Sequence, residues 1–261
     1  MSWHRTWLFA RRTMKEIMRD PVNLFFGLAF PVLLLWALSL IYKQVGQIPG
    51  AATISGDELA AAISGDELAA AISAYAPVFV SLFSGMLIAK DRTSSFLTRL
   101  FASPMTAADF TLGYSLPMLV VALAQSLVTF LFAGLFGHPI GVRMLLGAIV
   151  VLPTALMYTA IGLLCGTLMS DKAVGGVCGA MLTTIAFILA GVTVPIQIMG
   201  PTFQDIAKAL PFYNAAQSAV AAVGGDYGRI WPHVWIVTAY AVGFWLAAVI
   251  VFGLRKRNVN R

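Results

Sequence analysis

Residues 110–136 read FTLGYSLPMLVVALAQSLVTFLFAGLF, a run of 27 positions that contains no Asp, Glu, Lys or Arg. An α-helix rises about 1.5 Å per residue and the hydrocarbon core of a bilayer is about 30 Å thick, so roughly 20 apolar residues cross it. The run is therefore long enough to form a membrane-spanning helix. With five further uncharged stretches it predicts six spans, at residues 22–42, 72–89, 110–136, 144–169, 173–195 and 233–254.

The composition of the whole chain agrees with a membrane protein. Of its 261 residues 59% are hydrophobic and 11% are charged, whereas soluble domains have about 45–50% apolar and about 25% charged residues. So little charge cannot cover the surface of a soluble globule, which excludes a typical soluble enzyme, a disordered regulator and a disulfide scaffold. The predicted fold class is all-α, a polytopic membrane protein with six transmembrane helices.

Lys and Arg are divided unevenly between the two sides of the predicted bundle. Six spans place both termini on one side, and that side carries 13 of the 17 basic residues. The other side carries only Lys43, Arg143, Lys208 and Arg229. Because loops rich in Lys and Arg stay in the cytoplasm, both termini are predicted to be cytoplasmic.

Residues 1–20 are predicted to form an N-terminal interfacial amphipathic helix, which ends at Asp20-Pro21. At 100° per residue its apolar face comprises Trp3, Trp7, Ala10, Met14, Ile17 and Met18, and its charged face comprises Arg5, Arg12, Lys15, Glu16 and Arg19. This pattern is typical of a helix that lies flat at the membrane surface. Two interpretations remain open, a plain membrane anchor and a moving part of a mechanism.

The cytoplasmic loop at residues 90–109 reads KDRTSSFLTRLFASPMTAAD. Thr93 or Ser94 is predicted to cap a short helix that Ser103-Pro104 ends. Phe96, Leu97, Leu100 and Phe101 share one face of this helix, and Arg92, Ser95 and Arg99 share another. The Phe and Leu side chains need a cover, and either the lipid surface or a partner protein would supply it.

Two segments on the other side of the membrane are also predicted to be helical. Residues 54–71 are a nine-residue tandem repeat, ISGDELAAA, whose Ser and Glu fit a capping box; we expect it to extend the second helix outward. Residues 195–232 are interrupted by four prolines yet contain apolar residues at helical spacing. They predict short extracellular helices that dip into the membrane as a re-entrant segment before the last span.

Small residues lie four positions apart in two predicted spans. Gly162 and Gly166 belong to the fourth span, and Gly175 and Gly179 belong to the fifth. Such pairs let helices approach closely. We expect the fourth and fifth spans to pack on each other within the chain, with a dimer contact as the alternative.

The sequence lacks its own source of energy for transport. No Lys follows a Gly, so the phosphate-binding motif GxxxxGK[ST] is absent, and there is no HExxH motif. The spans contain none of the charged residues that pumps and proton-coupled carriers usually keep inside the membrane. If the chain transports anything, the energy has to come from a partner.

At this point the sequence resembles a permease subunit of the ABC-2 type of ATP-binding-cassette exporters. The resemblance lies in Arg19-Asp20-Pro21 at the end of the N-terminal helix, in Phe30-Pro31, and in the stretch TRLFASPMTAADFTLGYSLP at residues 98–117. A further similar block is AGVTVPIQIMGPTFQDIAKALPFYNA at residues 190–215. The start of the chain and the Ser-Pro block look most like the drug-efflux (daunorubicin-resistance) branch of that family.

The resemblance implies one transmembrane domain over residues 1–261 and a half-transporter in a bacterial plasma (inner) membrane. Its partners would be a separate ATP-binding-cassette ATPase, a second permease chain (the same or a related one), the lipid bilayer and an amphipathic cargo, with no nucleic acid. ATP and Mg would be bound by the ATPase, so the chain itself would have no cofactor and no catalytic site. The coupling loop would contact the ATPase through Arg92, Phe96, Arg99, Leu100 and Pro104.

The sequence does not identify the cargo. Uncharged spans rich in Phe, Met and Leu suit a hydrophobic or amphipathic compound such as a drug-like molecule, a lipid or a peptide. Alternatives are an exporter of a lipid-linked glycan, and a membrane immunity or sensor module that binds its ligand at residues 195–232 without transport.

Overall fold

The computed structural model describes residues 3–45, 65–94, 96, 100, 102–135, 141–192, 196 and 200–259. Every regular element within these residues is a helix, which confirms the predicted all-α class. Six segments are long and apolar enough to cross a membrane, and they are called the first to sixth spans: Pro21–Ile41, Glu67–Thr93, Ala107–Leu135, Val142–Leu168, Asp171–Leu189 and Tyr227–Arg257. Each overlaps one predicted span.

The boundaries differ from the predicted ones at two spans. The second span begins at Glu67 because the Ala-rich end of the tandem repeat continues the helix outward, as expected. The rest of the repeat, residues 54–64, lies outside the described residues. The fifth span ends at Leu189 and not at residue 195, because Gly191 takes a left-handed φ of 70° that a continuing helix does not allow.

Four spans are interrupted where the sequence disturbs regular hydrogen bonding. Pro31 and Pro153 have no amide hydrogen to donate. Within the six residues before each of them the helix changes to a π-helix or is broken. The pieces are Pro21–Leu24, a π-helix at Phe25–Ala29 and Phe30–Val45; Gly65–Tyr75 and Val78–Thr93; Val142–Val150 and Leu152–Leu168; Asp171–Val174, a π-helix at Gly175–Leu182 and Thr183–Leu189. The third span, Ala107–Leu135, and the last helix, Tyr227–Val259, are continuous.

The second span is the centre of the bundle. In its apolar part 83% of the residues are buried inside the chain, against 22% in the first and fifth spans and 17% in the sixth. Glycines explain how closely the fourth span approaches it, because a Cβ on Gly166 would collide with the backbone of Gly85, and one on Gly162 with the backbone of Ser81.

The pair in the fourth span therefore acts within the chain, as expected, but the expected partner helix is wrong. Gly162 and Gly166 pack against the second span and not the fifth. A Cβ added at Gly175 would have open space around it, and Gly179 approaches Leu82 of the second span. Glycine spacing indicates a close approach but does not specify which helix approaches.

The N-terminal helix, Trp3–Arg19, packs along the third span with a face that differs from its most apolar one. Its buried residues are Thr6, Phe9, Ala10, Thr13 and Ile17, while Trp3 and Trp7 are 62% and 57% exposed. The reason is the ring of Phe9, which fits over Gly113 and makes edge-on contacts with Phe110 and Tyr114. The exposed tryptophans suit contact with lipid headgroups.

The segment before the last span forms two helices, Pro201–Ala209 and Pro211–Gly224. The first is half exposed. The second is largely buried, with Asn214, Ala215 and Ala219 among its buried residues, and it packs between the outer half of the second span and the last helix. The expected short helices are present, and the second one enters the bundle. Residues 195 and 197–199 of the predicted segment lie outside the described residues.

We expect Gly166→Ala to weaken the packing of the second and fourth spans, because its methyl group meets backbone that cannot rotate away. Overpacking of this kind costs about 1–3 kcal/mol, measured as a lower midpoint of thermal unfolding in detergent. The matched control is Gly176→Ala, in a helix of the same chain with open space around the added methyl. Equal midpoints for the two variants would contradict the described contact.

Candidate functional site

The loop at residues 90–109 begins at a buried carboxylate on the central helix. Asp91 lies in the last turn of the second span and is 2% exposed. Its two oxygens accept hydrogen bonds from both terminal nitrogens of Arg12, each at 2.7 Å. The Tyr114 hydroxyl donates to Asp91 Oδ2, also at 2.7 Å. The three residues, here called the central network, join the N-terminal helix to the second and third spans.

Further charges and an aromatic ring surround the Arg12 guanidinium. Glu16 accepts from it at 2.7 Å and also lies 3.5 Å from the Lys90 ammonium. The ring of Phe96 stacks below it, with the guanidinium carbon 4.2 Å from the ring centroid. Burial alone would lower the pKa of Arg12, but the hydrogen bond and charge of Asp91 and the charge of Glu16 outweigh it and raise that pKa. Arg12 therefore stays charged at any physiological pH.

The far end of the loop is fixed by a second set of contacts. Thr106 and Asp109 cap the third span reciprocally: the Thr106 amide donates to the Asp109 carboxylate at 2.9 Å, and the Asp109 amide donates to the Thr106 hydroxyl at 3.2 Å. The Thr6 hydroxyl of the N-terminal helix donates to Asp109 at 3.2 Å. From the last helix, the Lys256 ammonium donates to the carbonyls of Ser103, at 3.1 Å, and Met105.

Two of the predicted coupling residues lie at the edges of this arrangement. Arg92 is half-buried and donates to the carbonyls of Thr167, at 3.0 Å, and Met169, which end the fourth span. Pro104 is exposed, and its carbonyl accepts a hydrogen bond of 3.3 Å from Arg5. Arg92 thereby links the loop to the fourth span, where carbonyl groups lack helical partners.

The two described apolar residues of the predicted loop helix are partly covered by the chain itself. Phe96 and Leu100 are partly buried and pack against the main core of the bundle. The part of these two side chains that the bundle leaves exposed is where the expected cover, the lipid surface or a partner protein, stays a prediction. Arg99 and the neighbouring residues 95, 97, 98 and 101 lie outside the described residues. Direct contact of the predicted coupling residues with an ATPase stays a prediction.

The exposed side of the loop is formed by a different set of residues. Its described members are Lys90, Thr93, Ser94, Ala102, Pro104 and Thr106. They flank the packed residues in the sequence and face away from the bundle. A protein that binds this end of the chain would meet these side chains first.

The sequence does not predict the central network. The helical wheel places Arg12 on the charged face of the N-terminal helix, and Asp91 is simply part of the loop. Two signals are present: Asp91 is one of two acidic residues in a loop with three basic ones, and Tyr114 is the one tyrosine in the sequence of residues 110–136. Neither signal identifies a partner 79 positions away along the chain.

The contacts around the loop connect it to the helices of the bundle. Among the described residues no group of three or more His, Cys, Asp or Glu side chains could hold a metal ion. Several charged side chains around the loop are instead engaged with one another, with helix ends and with loop carbonyls. Such contacts fix the loop to the N-terminal helix and to the second, third, fourth and last spans, so a displacement of the loop reaches most of the bundle.

Comparison with known proteins agrees with a transport role. The family model described as ABC-2 type transporter matches residues 4–223, more than four fifths of the chain. The match includes the N-terminal helix, the first five spans and the segment before the last helix. No curated protein matches the chain.

Replacing Asp91 with Ala is expected to lower the free energy of unfolding by about 2–3 kcal/mol, since it removes the buried partner of the Arg12 guanidinium, which keeps Glu16, and the acceptor of the Tyr114 hydroxyl. Tyr114→Phe removes a single hydrogen bond and should cost about 1 kcal/mol. Thermal unfolding of the purified variants measures both effects.

The control for this comparison is Asp226→Asn, at an exposed pair in which the nearest Asp226 and Arg229 atoms are 3.9 Å apart; it should change stability very little. The double variant Arg12→Ala/Asp91→Ala should cost less than the sum of the single changes. Strict additivity would show that the two residues do not stabilise each other.

Proposed function

The chain belongs to the ABC-2 type transporter family, and on this premise we propose that it is the permease subunit of an exporter driven by a separate ATPase subunit. Family membership makes it the membrane component of an ABC transporter, which associates with an ABC ATPase. Beyond family membership, we infer the direction of transport, the class of cargo and the route by which the ATPase passes energy to the membrane spans. The cargo is a hydrophobic or amphipathic compound that leaves the cytoplasm or the inner leaflet.

The observation that carries the proposal is the fixation of the loop at both of its ends. Asp91 and Arg92 bind the first end to the N-terminal helix and the fourth span. Lys256 and Asp109 bind the second end to the last helix and the N-terminal helix. A partner that pushes on the exposed side of the loop therefore moves several spans together. This is how nucleotide-driven motion in an ATPase would change the accessibility of a pathway in the membrane.

The coupling role is assigned to the predicted residues in two groups. Phe96 and Leu100 hold the loop against the bundle, and Arg92 connects it to the fourth span. Pro104 and the neighbouring exposed positions supply the surface for the ATPase, together with Arg99. ATP and Mg are bound by the ATPase and not by this chain, whose sequence has no phosphate-binding motif.

The exposed spans support the proposal of a second permease chain. The first, fifth and sixth spans are mostly unburied within one chain, so their apolar surface is available to lipid and to another permease, either the same or a related one. A pathway between two such chains would be lined by apolar residues, which suits the drug-efflux branch of the family. We place the complex in a bacterial plasma membrane.

The decisive experiment is ATP-dependent cargo movement. Inverted vesicles that contain the permease and its ATPase are expected to accumulate an amphipathic dye when ATP is added, and a hydrolysis-deficient ATPase should abolish the uptake. Failure to move any amphipathic compound, with hydrolysis intact, would favour the alternative of a non-transporting immunity or sensor module. Movement of lipid-linked glycans alone would favour the polysaccharide alternative.

The exposed side of the loop provides a sharper test than its packed side. Ala102→Trp places a bulky group where the ATPase is expected to bind, and it should reduce co-purification of the ATPase at least tenfold without lowering the midpoint of thermal unfolding. The matched control is Ala209→Trp, the same change at an exposed position of helix Pro201–Ala209. Equal co-purification of both variants would refute the proposed docking surface. Asp substitutions at Phe96 and Leu100 would mix uncoupling with unfolding, because these side chains pack on the core.

The proposed orientation has an independent test. In a variant without Cys165 and Cys178, a cysteine at Ala102 should react with a membrane-impermeant maleimide only in inverted vesicles, and a cysteine at Asp226 only in intact cells. Both positions are exposed and lie at opposite ends of the bundle. The reverse labelling pattern would show that the termini lie outside the cytoplasm.

A further inference from the structure

An open cleft of about 1070 Å³ lies beside the central network, between the N-terminal helix, the beginning of the first span and the second span. Its volume is at the upper limit of the roughly 300–1,000 Å³ typical of small-molecule sites. The lining differs between mouth and floor. Basic residues of the N-terminal helix form the mouth, and apolar residues of the first two spans form the floor.

The mouth has a surplus of positive charge. Arg11, Lys15 and Arg19 line it at intervals of four residues, so that about 6 Å separates successive side chains along the helix. All three are exposed, and none of them forms an ion pair within the described part of the chain. They form a row of cations that an anion can approach from the open side.

The other charges of the cleft are already engaged. Arg12 and Lys90 share Glu16, and Arg12 also binds Asp91. The Asp20 carboxylate accepts a hydrogen bond from the Val22 amide at the start of the first span.

One further carboxylate lines the cleft, that of Asp171 in the first turn of the fifth span. The positive end of a helix favours an acidic residue there. At the mouth of the cleft, the described cations Arg11, Lys15 and Arg19 therefore outnumber the carboxylates that are not already engaged.

The floor is apolar. Phe26 of the first π-helix and Leu82, Phe83 and Met86 of the second span line it. Met86 is 46% exposed, although most of the second span is buried. The cleft is the opening that exposes it. At the depth of a membrane span such a surface is covered by hydrocarbon and not by water.

We propose that this cleft binds an anionic phospholipid of the surrounding bilayer, with its phosphate held by Arg11, Lys15 and Arg19 and an acyl chain over Phe26, Leu82 and Met86. The charge of the row matches an anionic headgroup, and the floor matches its tail. The proposal does not depend on the direction of transport or on the cargo, and it requires only that the chain spans a membrane.

Native mass spectrometry of the full-length chain in a neutral detergent measures the binding directly. Dioleoyl phosphatidylglycerol should bind at least tenfold more tightly than dioleoyl phosphatidylcholine, which has the same tails without the net charge. The variant Lys15→Ala/Arg19→Ala should weaken phosphatidylglycerol binding roughly 10- to 30-fold, as expected for the loss of two cations near a lipid phosphate.

The matched control is Lys172→Ala/Arg257→Ala. It removes one Lys and one Arg, both exposed, from the same end of the bundle but outside the cleft. It should leave the affinity for phosphatidylglycerol within about twofold, since neither side chain lines the cleft and salt weakens the attraction between exposed charges. Equal losses in the two variants would overturn the proposal, because they would reflect general charge attraction.

Two further arms separate a lipid from a free phosphate. Glycerol 3-phosphate carries the phosphate without tails, and it should bind far more weakly than the lipid. Equal affinities would show that the cleft binds anions in general, which would overturn the proposed lipid site. Met86→Gln should weaken phosphatidylglycerol binding several-fold by making the floor polar while the midpoint of thermal unfolding stays the same. Unchanged lipid affinity in a folded Met86→Gln variant would show that no acyl chain binds on the floor of the cleft.

Discussion

The ion pair between Arg12 and Asp91 is the contact on which the rest of this end of the molecule depends. Removing two charges from water is costly, and their attraction compensates only where geometry is good and the remaining oxygens have partners. Here both nitrogens of Arg12 meet both oxygens of Asp91 at 2.7 Å, and Tyr114 donates a third hydrogen bond. A shift of any of the three helices breaks at least one of these hydrogen bonds, so the network holds them in one arrangement.

The position of Asp91 gives that arrangement a wide reach. It belongs to the second span, which is the most buried helix of the bundle, and Gly85 lies less than two turns away on the same helix. There the backbone of Gly85 meets Gly166 of the fourth span without any side chain between them. A contact between backbones does not adjust by side-chain rotation. Motion of the loop is therefore passed on to the second span, and from there to the fourth.

The sequence predicted the spans far better than the site. Length and absence of charge determine a membrane span locally, so residues 110–136 could be recognised from their own letters. Arg12 and Asp91 are 79 positions apart, and nothing in either segment identifies the other. The helical wheel identified Trp3 and Trp7, which are exposed as a lipid-facing side requires, but it did not identify the face that packs on the third span, which the fit of Phe9 over Gly113 selects. The local periodicity of a sequence does not reveal shape complementarity between distant segments.

The N-terminal helix connects the two proposed sites because it is a rigid body with two engaged faces. One face carries Phe9 and Arg12 and is fixed to the third and second spans. The next carries the basic row at the mouth of the cleft, and Glu16 lies between them, bound to both Arg12 and Lys90. If an anionic lipid binds better to one position of this helix, it shifts the population of loop arrangements that a partner meets, and the partner alters lipid affinity by the same factor. The helix is then both anchor and moving part, and the composition of the membrane acts on the same element as the ATPase.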